Sequence, residues 1–183
     1  GSVAENLKKV IEKCSKILQY DQESSFFVNA LFMTGKALYY QQEYARAQRK
    51  FIELSGVGEN EFSDQNKIWL AKTHLQLREF EIGTKLLDEV KVKALEIEDD
   101  ELFNEAVITK ISFYLFREEY SNAITEANNY LEHTDDDEMR ALVYFQLGNI
   151  YQKINENDLA LESYKKVLDY SPTFETEYRS RLE

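Results

Sequence analysis

Two histidines, one cysteine and two dense acidic runs are the residues in this 183-residue chain whose types could do chemistry. His74 stands between Leu70 and Leu77, and no serine, cysteine or second histidine falls at the spacing that a nucleophile and its base require. It reads as a core histidine with its hydrogen bonds satisfied. His133 precedes Thr134-Asp-Asp-Asp-Glu138, which superficially resembles a cation site. Thr134 or Asp135 can instead cap a following helix, and the acids beyond favour its positive N-terminal end. Glu98-Asp-Asp-Glu101 works in the same way, since a calcium loop would need its glycine and alternating ligands. Cys14 is alone, which excludes an internal disulfide framework and any multi-cysteine metal site. Its place on an apolar helix face makes it a small core residue rather than a reactive thiol. Gly56-Val-Gly58 has neither the following Lys-Ser/Thr nor the preceding strand of a phosphate loop, and reads as a helix stop and link. No catalytic residue, metal or cofactor is expected, and the chain is not read as an enzyme.

The elements that carry these residues follow from composition. A single Pro and 6 Gly leave few places for the sharp turns of an all-β protein, while 12 Tyr and 11 Phe supply rings that helices bury between layers. Hydrophobic residues at 43% and charged residues at 31% belong to a folded chain. The sequence contains no apolar run of the roughly 18 residues that a membrane-spanning helix needs. The net charge of -12 is uneven: residues 1–90 carry 12 Lys/Arg against 13 Asp/Glu, residues 91–183 carry 10 against 21. Nucleic-acid phosphates are disfavoured by such a surface, and a basic partner would suit the acidic half.

The chain repeats itself. Ala141-Leu-Val-Tyr-Phe-Gln-Leu-Gly148-Asn-Ile-Tyr151 leads to Ala160, Tyr164 and Pro172, with small residues and rings at fixed intervals. Gly or Ala at the eighth and twentieth places lets two antiparallel helices approach, rings fill the space beside them, and Pro stops the second helix. The same pattern starts near Val28 (Gly35, Tyr44, Ala47, Phe51), near Asp64 (Ala71, His74, Phe80, Gly83) and near Asn104 (Ile111, Tyr120, Ala123, Ala127). The starts lie 36, 40 and 37 residues apart. Residues 3–20 form an amphipathic helix with Leu7, Val10, Ile11, Cys14, Ile17 and Leu18 on one face. Its end, Cys14 to Tyr20, parallels Tyr164 to Tyr170, so it reads as the second helix of a repeat.

These residues and intervals resemble the tetratricopeptide repeat. The resemblance implies an all-α, right-handed superhelical solenoid of antiparallel helix pairs, forming one domain. Its expected divisions are a partial repeat over 3–20, repeats over 28–63, 64–103, 104–140 and 141–172, and a closing helix over 173–183. The dipeptides Gly1-Ser2 and Leu182-Glu183 look like cloning scars, so an array cut from a longer one is expected. Ala30 to Tyr40 with Glu43 to Phe51 also resembles repeat proteins of the bacterial envelope, among them lipoproteins that assist outer-membrane assembly or secretion. The cytoplasm and the bacterial periplasm are both open as compartments.

The resemblance further implies that first helices line a concave groove and hold a peptide or helix of a partner protein there. The groove stripe would comprise Met33, Lys36, Tyr40, Trp69, Lys72, Gln76, Ser112, Phe116, Asn149 and Lys153. Aromatic anchors beside fixed charges suit a binding hot spot. Trp69, the sole tryptophan, is expected to face the partner. Relatives that clamp acidic chaperone tails use Lys or Arg at the fifth place, where this chain has Phe32, Ile68, Ile108 and Phe145, so that activity is not implied. The alternative expectation is self-association, the array stacking end to end through its terminal helices.

Overall fold

The computed structural model describes residues 2–21 and 26–170. Among them every regular element is an α-helix: α1 (Val3–Tyr20), α2 (Phe27–Tyr40), α3 (Tyr44–Ser55), α4 (Ser63–Gln76), α5 (Phe80–Glu96), α6 (Asp100–Phe116), α7 (Tyr120–His133), α8 (Asp137–Lys153) and α9 (Asn157–Tyr170). None is long and apolar enough to cross a membrane. The helices form two compact units, Gly1–Ala106 and Val107–Glu183, with the division inside α6. The expected closing helix over 173–183, and Pro172 before it, lie outside the described residues.

Three-residue turns join the helices in pairs, and each turn has the same build. Its middle residue is left-handed, at Gln42, Arg78, Glu118 and Asn155, with φ between 58° and 64°. Its last residue is always glutamate, whose amide donates back across the turn: Glu43 to Leu38, Glu79 to His74, Glu119 to Tyr114 and Glu156 to Tyr151, at 2.8–2.9 Å. This is the Schellman closure, which satisfies carbonyls that the helix end leaves open. The four turns recur at separations of 36, 40 and 37 residues, the intervals of the sequence repeat. None of the left-handed residues is glycine, so each turn holds a conformation disfavoured by about 1 kcal/mol.

Small residues set how near the paired helices come. A Cβ on Gly35 would stand 2.5 Å from the Phe51 ring, and one on Gly148 would strike the Tyr164 ring. One on Gly83 would strike the Leu75 side chain. In the first unit Leu31, Leu38, Leu54 and Phe51 are buried with Trp69 and Leu70 in one core. A second core joins Ile68, Leu87, Val90 and Ala94 to Leu102 and Ala106 on the first part of α6. The other unit buries Val143, Leu147, Ile150 and Tyr130. α1 differs: none of its residues is fully buried, and Cys14, expected in the core, is only partly covered. Ser2 caps α1, its hydroxyl accepting from the Glu5 amide while the Glu5 carboxylate accepts from the Ser2 amide.

Candidate functional site

The groove residues of the first unit lie on two helices with identical spacing: Met33, Lys36 and Tyr40 on α2, Trp69, Lys72 and Gln76 on α4. Intervals of three and four residues keep each set on one helix face. Folding brings the two sets together around Trp69. Its ring lies 5.6 Å from Tyr40 and 5.4 Å from Tyr39, both edge-on, and 6.4 Å from the stacked Phe51 ring. Trp69 is only 8% exposed. The expectation that it faces a partner is thereby corrected: its ring packs between α2, α3 and α4, and a ligand would meet its surroundings instead. Those surroundings are open, with Met33 45% and Tyr40 60% exposed. Gln76 hydrogen-bonds the Tyr39 phenol; burial pushes that phenol up from its ordinary pKa, and the bond offsets some of the rise.

Two ammonium groups meet the indole, Lys36 at 4.8 Å and Lys72 at 4.6 Å from the ring centroid. Lys36 also lies 5.3 Å from the Phe32 ring. Such contacts contribute about 0.5–1 kcal/mol each near a surface, and they fix two charges that would otherwise swing freely on long stems. Lys72 is further held by Glu105 at 3.1 Å, on the first part of α6, and Glu105 accepts from the Gln65 amide at 2.9 Å. Lys36 has no carboxylate partner among the described residues.

In the second unit, Ser112 and Phe116 lie on α6, Asn149 and Lys153 on α8. Phe116 is 69% exposed, and Ser112 and Lys153 are also exposed. Asn149 is engaged within its own helix pair, accepting from the Tyr164 hydroxyl at 2.8 Å. No ring contact, hydrogen bond or ion pair links Ser112, Phe116 and Lys153 among the described residues.

The histidines, the cysteine and the acidic runs each have packing or hydrogen-bond partners in the fold. The His74 Nδ1 donates to Glu79 at 2.6 Å, and the Gln48 amide donates to the same carboxylate at 2.8 Å, so α3, α4 and the turn before α5 meet at this ring. His133 bonds the Asn129 carbonyl. In the acidic run after it the cap is Asp136, rather than Thr134 or Asp135, and accepts from the Met139 amide at 3.0 Å. Thr134 instead accepts from the Asp136 amide, while Asp135 and Asp137 pair with Arg140. Asp99 accepts from the Leu102 amide at the start of α6. Gly56 closes α3, and Gly58 sits at φ 97°, a conformation open to glycine alone at low cost. Burial pushes the Cys14 thiol above its ordinary pKa. Among the described residues the hydrogen bonds of the two histidines go to Glu79, Gln48 and the Asn129 carbonyl, and no three metal-ligating side chains converge.

Two arrangements escaped the sequence. Lys110 and Glu126 form an ion pair at 3.1 Å with both side chains 9% exposed. Lys110 occupies the place before its turn held by Leu70 and Leu147 in other pairs, so the substitution of a charge for a leucine was the available signal. The recurrent turn glutamates, at 43, 79, 119 and 156, were equally visible once the repeats were aligned.

Residues 141–174 match the tetratricopeptide repeat family model. The α8–α9 pair carries that match. No curated protein matches the chain in sequence. Among solved structures, the crystal structure of MamA is 15% identical with a TM-score of 0.65, over 96% of this chain and 98% of that one. The MamA RS-1 ArsTM double mutant is 16% identical with a TM-score of 0.63, over the same shares. At these identities the likeness is one of fold: all-helical, built of helix pairs as in tetratricopeptide arrays. The repeat match and this architecture together support a protein-interaction scaffold.

Proposed function

We propose that the chain holds a segment of a partner protein along its first-helix stripe, with the α2–α4 face of the first unit as the main contact. The observation that carries this reading is the exposure of Met33 and Tyr40 beside a preorganised Lys36–Trp69–Lys72 stack. An exposed methionine adapts to varied apolar groups, and a tyrosine adds area at small entropic cost. Fixed charges beside them are ordered before the ligand arrives, so less is lost on binding. Within the second unit, Ser112 and Phe116 on α6, with Asn149 and Lys153 on α8, hold the corresponding positions. The activity proposed for this face is binding.

The test is a selection of displayed peptides on the wild-type chain and on a Met33→Ala/Tyr40→Ala variant. Both side chains are largely exposed, but Tyr40 also packs on Trp69, so an unchanged far-ultraviolet circular dichroism spectrum and thermal midpoint accompany the variant as the control for folding. Peptides retained by the wild type and lost by the variant support the reading. Retention by both at equal yield contradicts it.

A second reading, self-association through a terminal helix, is favoured by α1, whose apolar stripe is only partly covered and whose Val3 and Tyr20 are exposed. Sedimentation decides it: a mass that rises with concentration supports assembly, and a constant monomer mass contradicts it.

A further inference from the structure

The four left-handed turn residues give an internal register for comparing one helix pair with the next. Lys36 and Lys72 both lie six residues before the turn residue of their pair. Glu105 and Gln65 both lie thirteen before theirs. In the later position the fold itself supplies an anion: the Glu105 carboxylate reaches back 3.1 Å to Lys72. In the earlier position the corresponding residue is Gln65, which is neutral and whose amide is spent on Glu105. Among the described residues, Lys36 is thus the one of two equivalent lysines left with rings on its flank and no carboxylate. The rings of Phe32 and Trp69 hold its ammonium in place without neutralising it.

We propose that Lys36 receives an aspartate or glutamate side chain from the bound segment, so that the partner peptide carries an acidic residue next to an apolar one. The carboxylate fills the role that Glu105 plays for Lys72, and the neighbouring apolar residue lies against Met33 and Tyr40. This inference rests on the proposed binding of a segment at the α2–α4 face and adds the chemistry of that segment. The occupant is a segment of another protein with an internal acid. Amidation of the peptide's end removes its free C-terminal carboxylate, so an acid preference in amidated peptides reports a side chain.

The experiment is a selection from a library of C-terminally amidated decapeptides displayed on beads, with equal acidic and basic content. The wild-type chain is expected to enrich Asp or Glu over Lys or Arg beside an apolar residue by about tenfold, the gain of one charge-assisted hydrogen bond. Gln65→Glu places within the chain the anion that Lys36 lacks, and Glu105 repels the new carboxylate towards it; the acid preference is expected to vanish while apolar peptides are still held. Lys36→Glu is expected to reverse the preference to Lys or Arg. Enrichment of apolar peptides with no acid preference in the wild type, or an acid preference untouched by both substitutions, overturns this inference and leaves segment binding standing. Enrichment that survives Met33→Ala/Tyr40→Ala unchanged overturns the binding face as well.

Discussion

The two units use one helix-pair plan and spend their charge differently. In the first, lysines stand on the open face of α2 and α4 against a tryptophan, and the polar side chains buried beside Phe51, Leu31 and Leu87, such as Asn66 and Thr73, carry no charge. In the second, a lysine is turned inward to pair with Glu126 between α6 and α7, and the corresponding face offers Ser112 and Phe116, with no fixed cation beside them among the described residues. The turns, the close approaches at Gly35 and Gly148 and the Schellman closures are shared. The repeat therefore fixes backbone geometry, while the face six residues before each turn is free to become a recognition surface or to stay neutral.

The sharpest break of this comparison is Lys110→Met. A buried carboxylate deprived of its ion-pair partner costs about 3–5 kcal/mol, and Lys110 and Glu126 are both nearly covered. Far-ultraviolet circular dichroism in urea would show early loss of the second unit's helices, while Trp69 fluorescence, which reports on the first unit, would keep its wild-type midpoint. Replacing both residues with leucine should restore most of the loss. Coincident shifts in both probes after Lys110→Met would show that the units unfold together.

A smaller loss is expected from Gly35→Ala. The added methyl meets the Phe51 ring at 2.5 Å, and overpacking of this kind costs about 1–3 kcal/mol. The better helix propensity of alanine returns about 1 kcal/mol, so a net loss near 1 kcal/mol should appear in a urea titration of Trp69 fluorescence. A gain in stability would mean that α2 and α3 separate freely. The smallest effect, and of opposite sign, belongs to Gln42→Gly. Relief of the left-handed turn should raise the thermal midpoint, with a gain of up to about 1 kcal/mol; a lowered midpoint would count against strain at that residue.

Much of the fold was legible because it rests on periodic facts. Small residues at Gly35 and Gly148, rings at Phe51 and Tyr164, and recurrent intervals announced paired helices before any contact was known. The site was legible only in its composition. Met33, Lys36, Tyr40, Trp69 and Lys72 are brought to one face, but the burial of Trp69 depends on Tyr39, Tyr40 and Phe51, which reach it from two other helices. Side chains from three helices cannot be ordered by the spacing within one. The cap at Asp136 was missed for a related reason: three adjacent aspartates offer equivalent side chains, and only the path of the backbone into α8 selects among them.

The central claim, that binding is concentrated on the first unit's face, is tested most directly by titrating a selected amidated peptide into the chain and following Trp69 fluorescence together with isothermal heat. The account predicts saturable binding that changes the emission, is lost in Met33→Ala/Tyr40→Ala, and is unchanged in Phe116→Ala. Binding that survives the double truncation and disappears in Phe116→Ala would contradict it.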